Sequence, residues 1–198
     1  MPLLNLLSVK YVIQPTVHGA QPWELHLWEY PDQFELLYDD GNYQIFHNKY
    51  ALPRFYVTTF QQFGSNSQEV IDSVLRNPLS LTFTTNFPSA NYNVAPIILL
   101  QAAKINSYTP TKIELAVEST TAGWLYASET WYPGWQAQID GRDTSIQRAN
   151  LTFRAIPISP GTHIVTMTYQ PLSFIVGILT TAATALLILI FHRKIYVS

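Results

Sequence analysis

GWLYASETWYPGWQAQIDGRDTSIQRANLTFRAIPISPGTHIVTMTY, from Gly123 to Tyr169, is a succession of short alternating runs broken by turn residues. In its first run Leu125, Ala127, Glu129 and Trp131 fall on one face, and Trp124, Tyr126, Ser128 and Thr130 on the other. That period of two is the period of a β-strand. Trp135, Ala137 and Ile139 then alternate with Gln136 and Gln138, and Asp140-Gly141 follows. This pair suits a two-residue type I′ hairpin turn, which needs positive φ at both positions. Leu151, Phe153 and Ala155 alternate with Thr152, Arg154 and Ile156. Beyond the Pro160-Gly161 turn, Val165, Met167 and Tyr169 share a face. Just upstream, Ile113, Leu115 and Val117 alternate with Lys112, Glu114, Ala116 and Glu118, a strand with one wet face. Strands separated by turns every ~8–12 residues predict an antiparallel β-sandwich.

Further strands are expected at Phe34–Tyr38, Tyr43–His47 and Arg54–Phe60, with Tyr38 to Asn42 as a hairpin turn. One short helix is expected from Gln68 to Arg76. Ser67 would be its N-cap, Asn77-Pro78 its stop, and Val70, Ile71, Val74 and Leu75 its apolar stripe. The 12 Tyr, 10 Phe and 5 Trp of the 198 residues favour pleated sheet over helical bundle. A formal net charge of −2 provides no basic field for nucleic acid. The chain has no cysteine, which removes thiol catalysis, disulfides and thiolate metal sites.

LSFIVGILTTAATALLILIF, Leu172 to Phe191, carries no charge. At about 1.5 Å per residue it is long enough to span the hydrocarbon core of a bilayer. Its threonines can return their hydroxyls to the helix backbone. His192-Arg193-Lys194 follows at once, whereas Arg154 is the one Lys or Arg in the twenty residues before it. Positive charge stays on the cytoplasmic side, so the C-terminus is expected inside and the preceding domain outside. The expected organisation is a residual N-terminal segment and first strand (1–13), an extracytoplasmic β-rich domain (14–171), the membrane helix (172–191) and a cytoplasmic tail (192–198). MPLLNLLSVKYVIQ at the N-terminus lacks the basic leader and small-residue cleavage site of an export signal. The expectation is therefore a piece of a longer membrane protein, with earlier helices delivering the domain across.

Paired carboxylates would signal glycoside hydrolysis. Of Glu114, Glu118, Glu129, Asp140 and Asp143, the turn accounts for Asp140, and a wet strand face accounts for Glu114 and Glu118. Glu129 shares a face with Leu125 and Trp131, so it is the candidate acid, weighed against a hydrogen-bonded structural role. His18, His26, His47, His163 and His192 have no ligand spacing, so neither metal nor cofactor is expected. His163 reads as a polar residue at a strand edge. Asn150-Leu151-Thr152 fits a glycosylation sequon. Trp124, Trp131, Tyr132 and Trp135 form an aromatic cluster suited to core packing, to lipid headgroups or to the flat faces of sugars. Trp131, Tyr132 and Trp135 are the candidate glycan contacts.

The ordered series Tyr132-Pro133-Gly134-Trp135, Asp140-Gly141, Phe153-Arg154-Ala155, Gly161-x-His163-x-Val165 and Tyr169-x-Pro171-x-Ser173-Phe174 strongly resembles the C-terminal region of the YfhO family. These are bacterial polytopic membrane proteins of the glycosyltransferase C type. Weaker similarity extends to Leu3–Ile13 and Ala51–Val57, while Phe46-His47-Asn48 stands where the family pattern would have Tyr-Glu-Asn. The resemblance implies glycosyl transfer outside the membrane onto cell-envelope polymers. It also implies that the catalytic acid lies in an early extracytoplasmic loop, and that the polyprenyl-phosphate sugar docks among membrane helices preceding this region. The expected role is an extracytoplasmic accessory domain with the last membrane helix, positioning acceptor glycan or bracing the catalytic membrane part. The expected partners are the membrane, a polytopic membrane portion and envelope glycan. Two other readings are a free-standing membrane-tethered binding or structural domain, and a glycosidase using Glu129.

Overall fold

A computed structural model describes residues 2–16, 25–59, 61–76, 81–84 and 101–196. Helix α1 (Pro2–Leu6) leads into β1 (Tyr11–Pro15), and a hairpin follows, β2 (Phe34–Asp39) with β3 (Tyr43–Asn48). Next come β4 (Phe55–Thr58), β5 (Gln61–Gly64), α2 (Ser67–Arg76) and β6 (Leu81–Thr84). The remaining strands are β7 (Gln101–Ala102), β8 (Lys104–Tyr108), β9 (Lys112–Ser119), β10 (Gly123–Thr130), β11 (Trp135–Ile139), β12 (Arg142–Thr144), β13 (Gln147–Ala149), β14 (Phe153–Ile158) and β15 (Gly161–Tyr169). Helix α3 (Leu172–Tyr196) ends the described chain.

The alternating runs build a sandwich of two antiparallel sheets, ordered β13-β14-β10-β4-β7 and β12-β11-β15-β9-β8. Phe55, Val57, Leu125, Ala127, Ile156 and Ile158 of the first face Ile113, Leu115, Val117, Ala137, Val165 and Met167 of the second. This dry layer is the main hydrophobic contribution to the fold. Strand β10 is buried on both faces. Its Trp124 and Tyr126 join Tyr56, Phe83, Phe153 and Leu6 in a second core beneath Val70 and Val74 of α2. Trp124 donates from its indole Nε1 to Gln61 Oε1 (2.8 Å) and packs on Phe83, a fixed core residue. A third sheet, β1-β3-β2, closes on Leu27, Phe34 and Phe46, with Leu4 and Val12 alongside.

The Asp140-Gly141 turn has the expected geometry, with φ of +51° and +78° between the paired Ile139 and Arg142. Several local expectations are corrected. Ser67 is the first helical residue of α2, and Asn66 caps it by accepting from the Glu69 amide (3.0 Å). Glu69 in return accepts from the Ser65 amide (2.7 Å), a variant of the capping box. The stripe of α2 is Val70 and Val74, because one pair a turn apart spans the narrow contact and Ile71 and Leu75 face outward. Leu151 is not in a strand: Asn150 and Leu151 hold positive φ and turn the chain into β14. Strands β5 and β6 pair parallel, with α2 as the crossover that such a pair requires. Asn77-Pro78 and Phe60 lie outside the described residues.

Helix α3 is long and apolar enough to cross a membrane, with mean hydropathy 2.3 over Leu172–Ile190 and no burial within the fold. Thr180, Thr181 and Thr184 each donate to a carbonyl three or four residues back, so their hydroxyls are satisfied within the helix.

Candidate functional site at the membrane-helix end of the sandwich

Strand β15 ends at Tyr169 and α3 begins at Leu172, so the apolar helix leaves from one end of the sandwich. The first residue of β11 pairs with Tyr169, which places the Tyr132-Pro133-Gly134-Trp135 bend at that same end. The Gln170 amide donates to Gly134 O (2.7 Å), and the Trp135 ring lies 5.4 Å from that of Tyr169. Gly134 holds φ of +105°, and a Cβ there would stand 2.9 Å from Pro171 Cα. Glycine is needed for both the bend and the close approach.

Glu129 sits in an irregularity of β10. Ala127 pairs with Arg154 and Thr130 with Phe153, so Ser128 and Glu129 bulge out of the ladder. The bulge re-aims the carboxylate. Oε1 accepts from Arg54 Nε (2.6 Å) and from the Tyr108 phenol (2.8 Å), which itself accepts from Arg54 Nη2 (2.7 Å). Oε2 stands 3.7 Å from Arg154 Nη2. The Glu129 side chain is 13% exposed and that of Arg154 3%. Arg154 also donates from Nε to Thr130 O (3.0 Å) and lies over the Trp135 ring at 3.9 Å. Burial pushes the Arg154 guanidinium below its ordinary pKa, against the pull of Glu129. Burial and the hydrogen bond to Glu129 push the Tyr108 phenol up.

Glu129 is thus held by two guanidiniums and a phenol, the hydrogen-bonded structural arrangement. Alternation alone marks neither Arg54 nor Tyr108 as a partner of Glu129, although an arginine inside the Phe-Arg-Ala alternation is itself a signal of a buried, paired charge. Among the candidate glycan contacts, Trp135 is half-buried under Arg154 and against the main core, and Trp131 is half-buried. Tyr132 is 60% exposed. Asn150 is buried and accepts from the Thr82 amide (2.7 Å), a structural use of its side chain.

At the opposite end Asp140 and His163 form a latch. His163 Nδ1 lies 2.7 Å from Asp140 Oδ2, Asp140 Oδ1 accepts from the Ile164 amide (2.8 Å), and Ser159 Oγ lies 3.1 Å from His163 Nε2. The connectivity matches a Ser-His-Asp triad, but Pro160 follows Ser159 and has no N–H for an oxyanion. A Cβ on Gly161 would come within 3.3 Å of Nε2, so position 161 crowds the imidazole. The arrangement is a structural clasp. Its hydrogen bond to Asp140 holds the His163 pKa above the ordinary 6.5, and the same bond holds Asp140 below 3.8. The imidazolium's stabilisation is full below pH about 6.5 and is lost as pH rises through the raised value. The carboxylate's is present above pH about 4 and is lost as pH falls through the lowered value. The melting midpoint of the full chain in mild detergent should therefore fall from pH 6 to alkaline pH, and His163→Gln should flatten that arm. An unchanged alkaline arm in the variant would exclude the clasp.

The fold and this end of it define a β-sandwich whose Gly134 bend grips the start of a helix apolar enough to cross a membrane. Residues 86–181 match the family described as bacterial membrane protein YfhO. The matched stretch includes β7 to β15 and the beginning of α3. Leu3–Ile13 and Ala51–Val57 lie outside the match. No curated protein and no solved structure matches the chain.

Proposed function

We propose that the sandwich is an extracytoplasmic accessory module of a YfhO-like cell-envelope glycosyltransferase, and that it braces the membrane part of that enzyme. The observation that carries the reading is the seating of Gly134 on Pro171 with the Gln170 amide bonded to Gly134 O. From there, contacts run without a gap through Tyr169, Trp135, Arg154 and Glu129 to Arg54 in β4's leading loop. A rigid seat matters because misplacement by about 1 Å can cost about 10²-fold in rate.

The test is sugar incorporation into envelope polymer by cells making the chain together with a polytopic membrane portion. Gly134→Ala inserts a methyl against Pro171 and should lower incorporation by about tenfold or more, with the protein still membrane-bound and folded. Full activity in that variant would refute the brace. Positioning of acceptor glycan is a second reading, favoured by the exposure of Tyr132. It requires Tyr132→Ala to raise the acceptor concentration needed for half-maximal incorporation while leaving the maximum unchanged.

Orientation has its own test, helped by the absence of native cysteine. Ser145→Cys lies on an exposed loop and should react with a membrane-impermeant maleimide in intact cells. Ser198→Cys should react only after permeabilisation. The reverse pattern would place the domain in the cytoplasm.

A further inference from the structure

A groove of about 600 Å³ lies between the loop after α1, the β3–β4 connection and the bulge of β10. Its lining includes Ser8, Lys10, His47, Lys49, Arg54 and Ser128, and no carboxylate is part of it among the described residues. This concentration of cations stands out in a chain of net charge −2. Nearby acids act on single members: Glu129 bonds Arg54, and Glu35 lies 3.9 Å from His47. Lys10 lies over the Tyr11 ring and Lys49 donates to Pro31 O (3.0 Å), so neither ammonium meets a carboxylate among the described residues.

The floor is built, not improvised by surface side chains. Asn48 donates to Asn5 Oδ1 (2.8 Å) and Val9 O (3.0 Å), and Gln33 donates to both Asn5 and Asn48. Ser128 donates to Leu6 O (3.1 Å), pinning α1 to the bulge. The polar groups beneath the cations are therefore committed to one another, and the two ammonium groups above meet no carboxylate among the described residues. Position completes the argument. The Ser128 amide donates to Arg54 O and Glu129 is the next residue, so the groove opens at the end of the sandwich from which α3 departs.

We propose that this groove is a binding site for a phosphate group at the membrane surface. The Lys10 and Lys49 ammonium groups suit the oxygens of a phosphate, which accept charge-assisted hydrogen bonds, while Arg54 stays paired to Glu129 at the groove's edge. The volume suits a headgroup rather than a bare ion. The proposal rests on the same placement of this end at the bilayer as the brace, but it concerns binding and not transfer.

The experiment is calorimetric titration of the full chain in dodecyl maltoside, with dihexanoyl phosphatidylglycerol and inorganic phosphate as separate probes. At least one probe should bind saturably to one site. Lys10→Gln/Lys49→Gln should weaken that binding by about tenfold or more. Lys104→Gln/Arg142→Gln removes equal charge away from the groove and should leave it intact, with wild-type melting in both variants as the check on folding. Binding of the lipid alone assigns a headgroup, and binding of inorganic phosphate as well assigns the phosphate group itself. Saturation by neither probe, or equal weakening in the two variants, overturns the proposal. No glycosyl transfer enters the measurement, so failure here leaves the brace standing, and full activity of Gly134→Ala leaves the groove standing.

Discussion

Glu129→Ala should destabilise the soluble part of the chain by about 3–5 kcal/mol, the usual cost of leaving a buried charge without its partner. Arg154 is the group left behind. It is almost fully buried, and Glu129 is its one carboxylate partner among the described residues. Arg54 fares better because it is half exposed and water can replace the lost carboxylate. The asymmetry makes a sharper test than a single variant. Arg154→Met replaces the buried charge with an apolar chain of similar reach and leaves Glu129 paired to Arg54, so it should cost less than Glu129→Ala. In the double variant no guanidinium is stranded in the core, and stability should recover relative to Glu129→Ala alone. Urea denaturation of the full chain in mild detergent, followed by tryptophan fluorescence, measures all three. A Glu129→Ala midpoint equal to wild type would mean that the carboxylate has no structural task and would revive the glycosidase reading.

Tyr56→Ala is expected to cost about 3–5 kcal/mol, the range for deleting a large aromatic from a packed core. Tyr56 is fully buried in β4, 4.9 Å ring to ring from Tyr126, where the second core meets the first sheet. Its hydroxyl has no hydrogen-bond partner among the described residues, and burial drives the phenol pKa far above the ordinary value. An unpaired buried hydroxyl is a desolvation cost. Tyr56→Phe should therefore be neutral or stabilising by up to about 1 kcal/mol, despite changing the same side chain. A loss of more than about 1 kcal/mol in Tyr56→Phe would show that the hydroxyl is bonded in solution. Urea midpoints of the two variants decide the matter.

Local chemistry made much of this fold legible. The Asp140-Gly141 turn needs only its own two residues to state its geometry. Ile113, Leu115 and Val117 announce a one-sided strand by alternation alone, and the apolar run from Leu172 announces a helix long and apolar enough to cross a membrane. The misreadings are also local. Ser67 and Asn66 both suit an N-cap, and the decisive mark was Glu69, three residues beyond Asn66 as a capping box requires. Trp124, Leu125, Tyr126 and Ala127 are apolar on both faces, the mark of a strand buried on two sides, which a reading by alternation split into an inner and an outer row. The Glu129 site could not be read in this way. Arg54 lies 75 residues before Glu129 in the chain, and only the pairing of β4 with β10 brings them together. The groove is harder still, since its lining comes from the N-terminal segment, the β3–β4 connection and β10, none of them notable alone.

Only Gln170 and Pro171 separate the last strand residue from the first helical one, and both are engaged with the Gly134 bend. The junction has no slack. In the proposed placement at a bilayer, so short a junction would couple the tilt of α3 to the attitude of the sandwich. Helix tilt answers to the thickness of the hydrocarbon layer. A thinner membrane would lean the helix over and swing the cationic groove through the headgroup layer. The thickness of the surrounding lipid would then become a coordinate of the protein's own geometry.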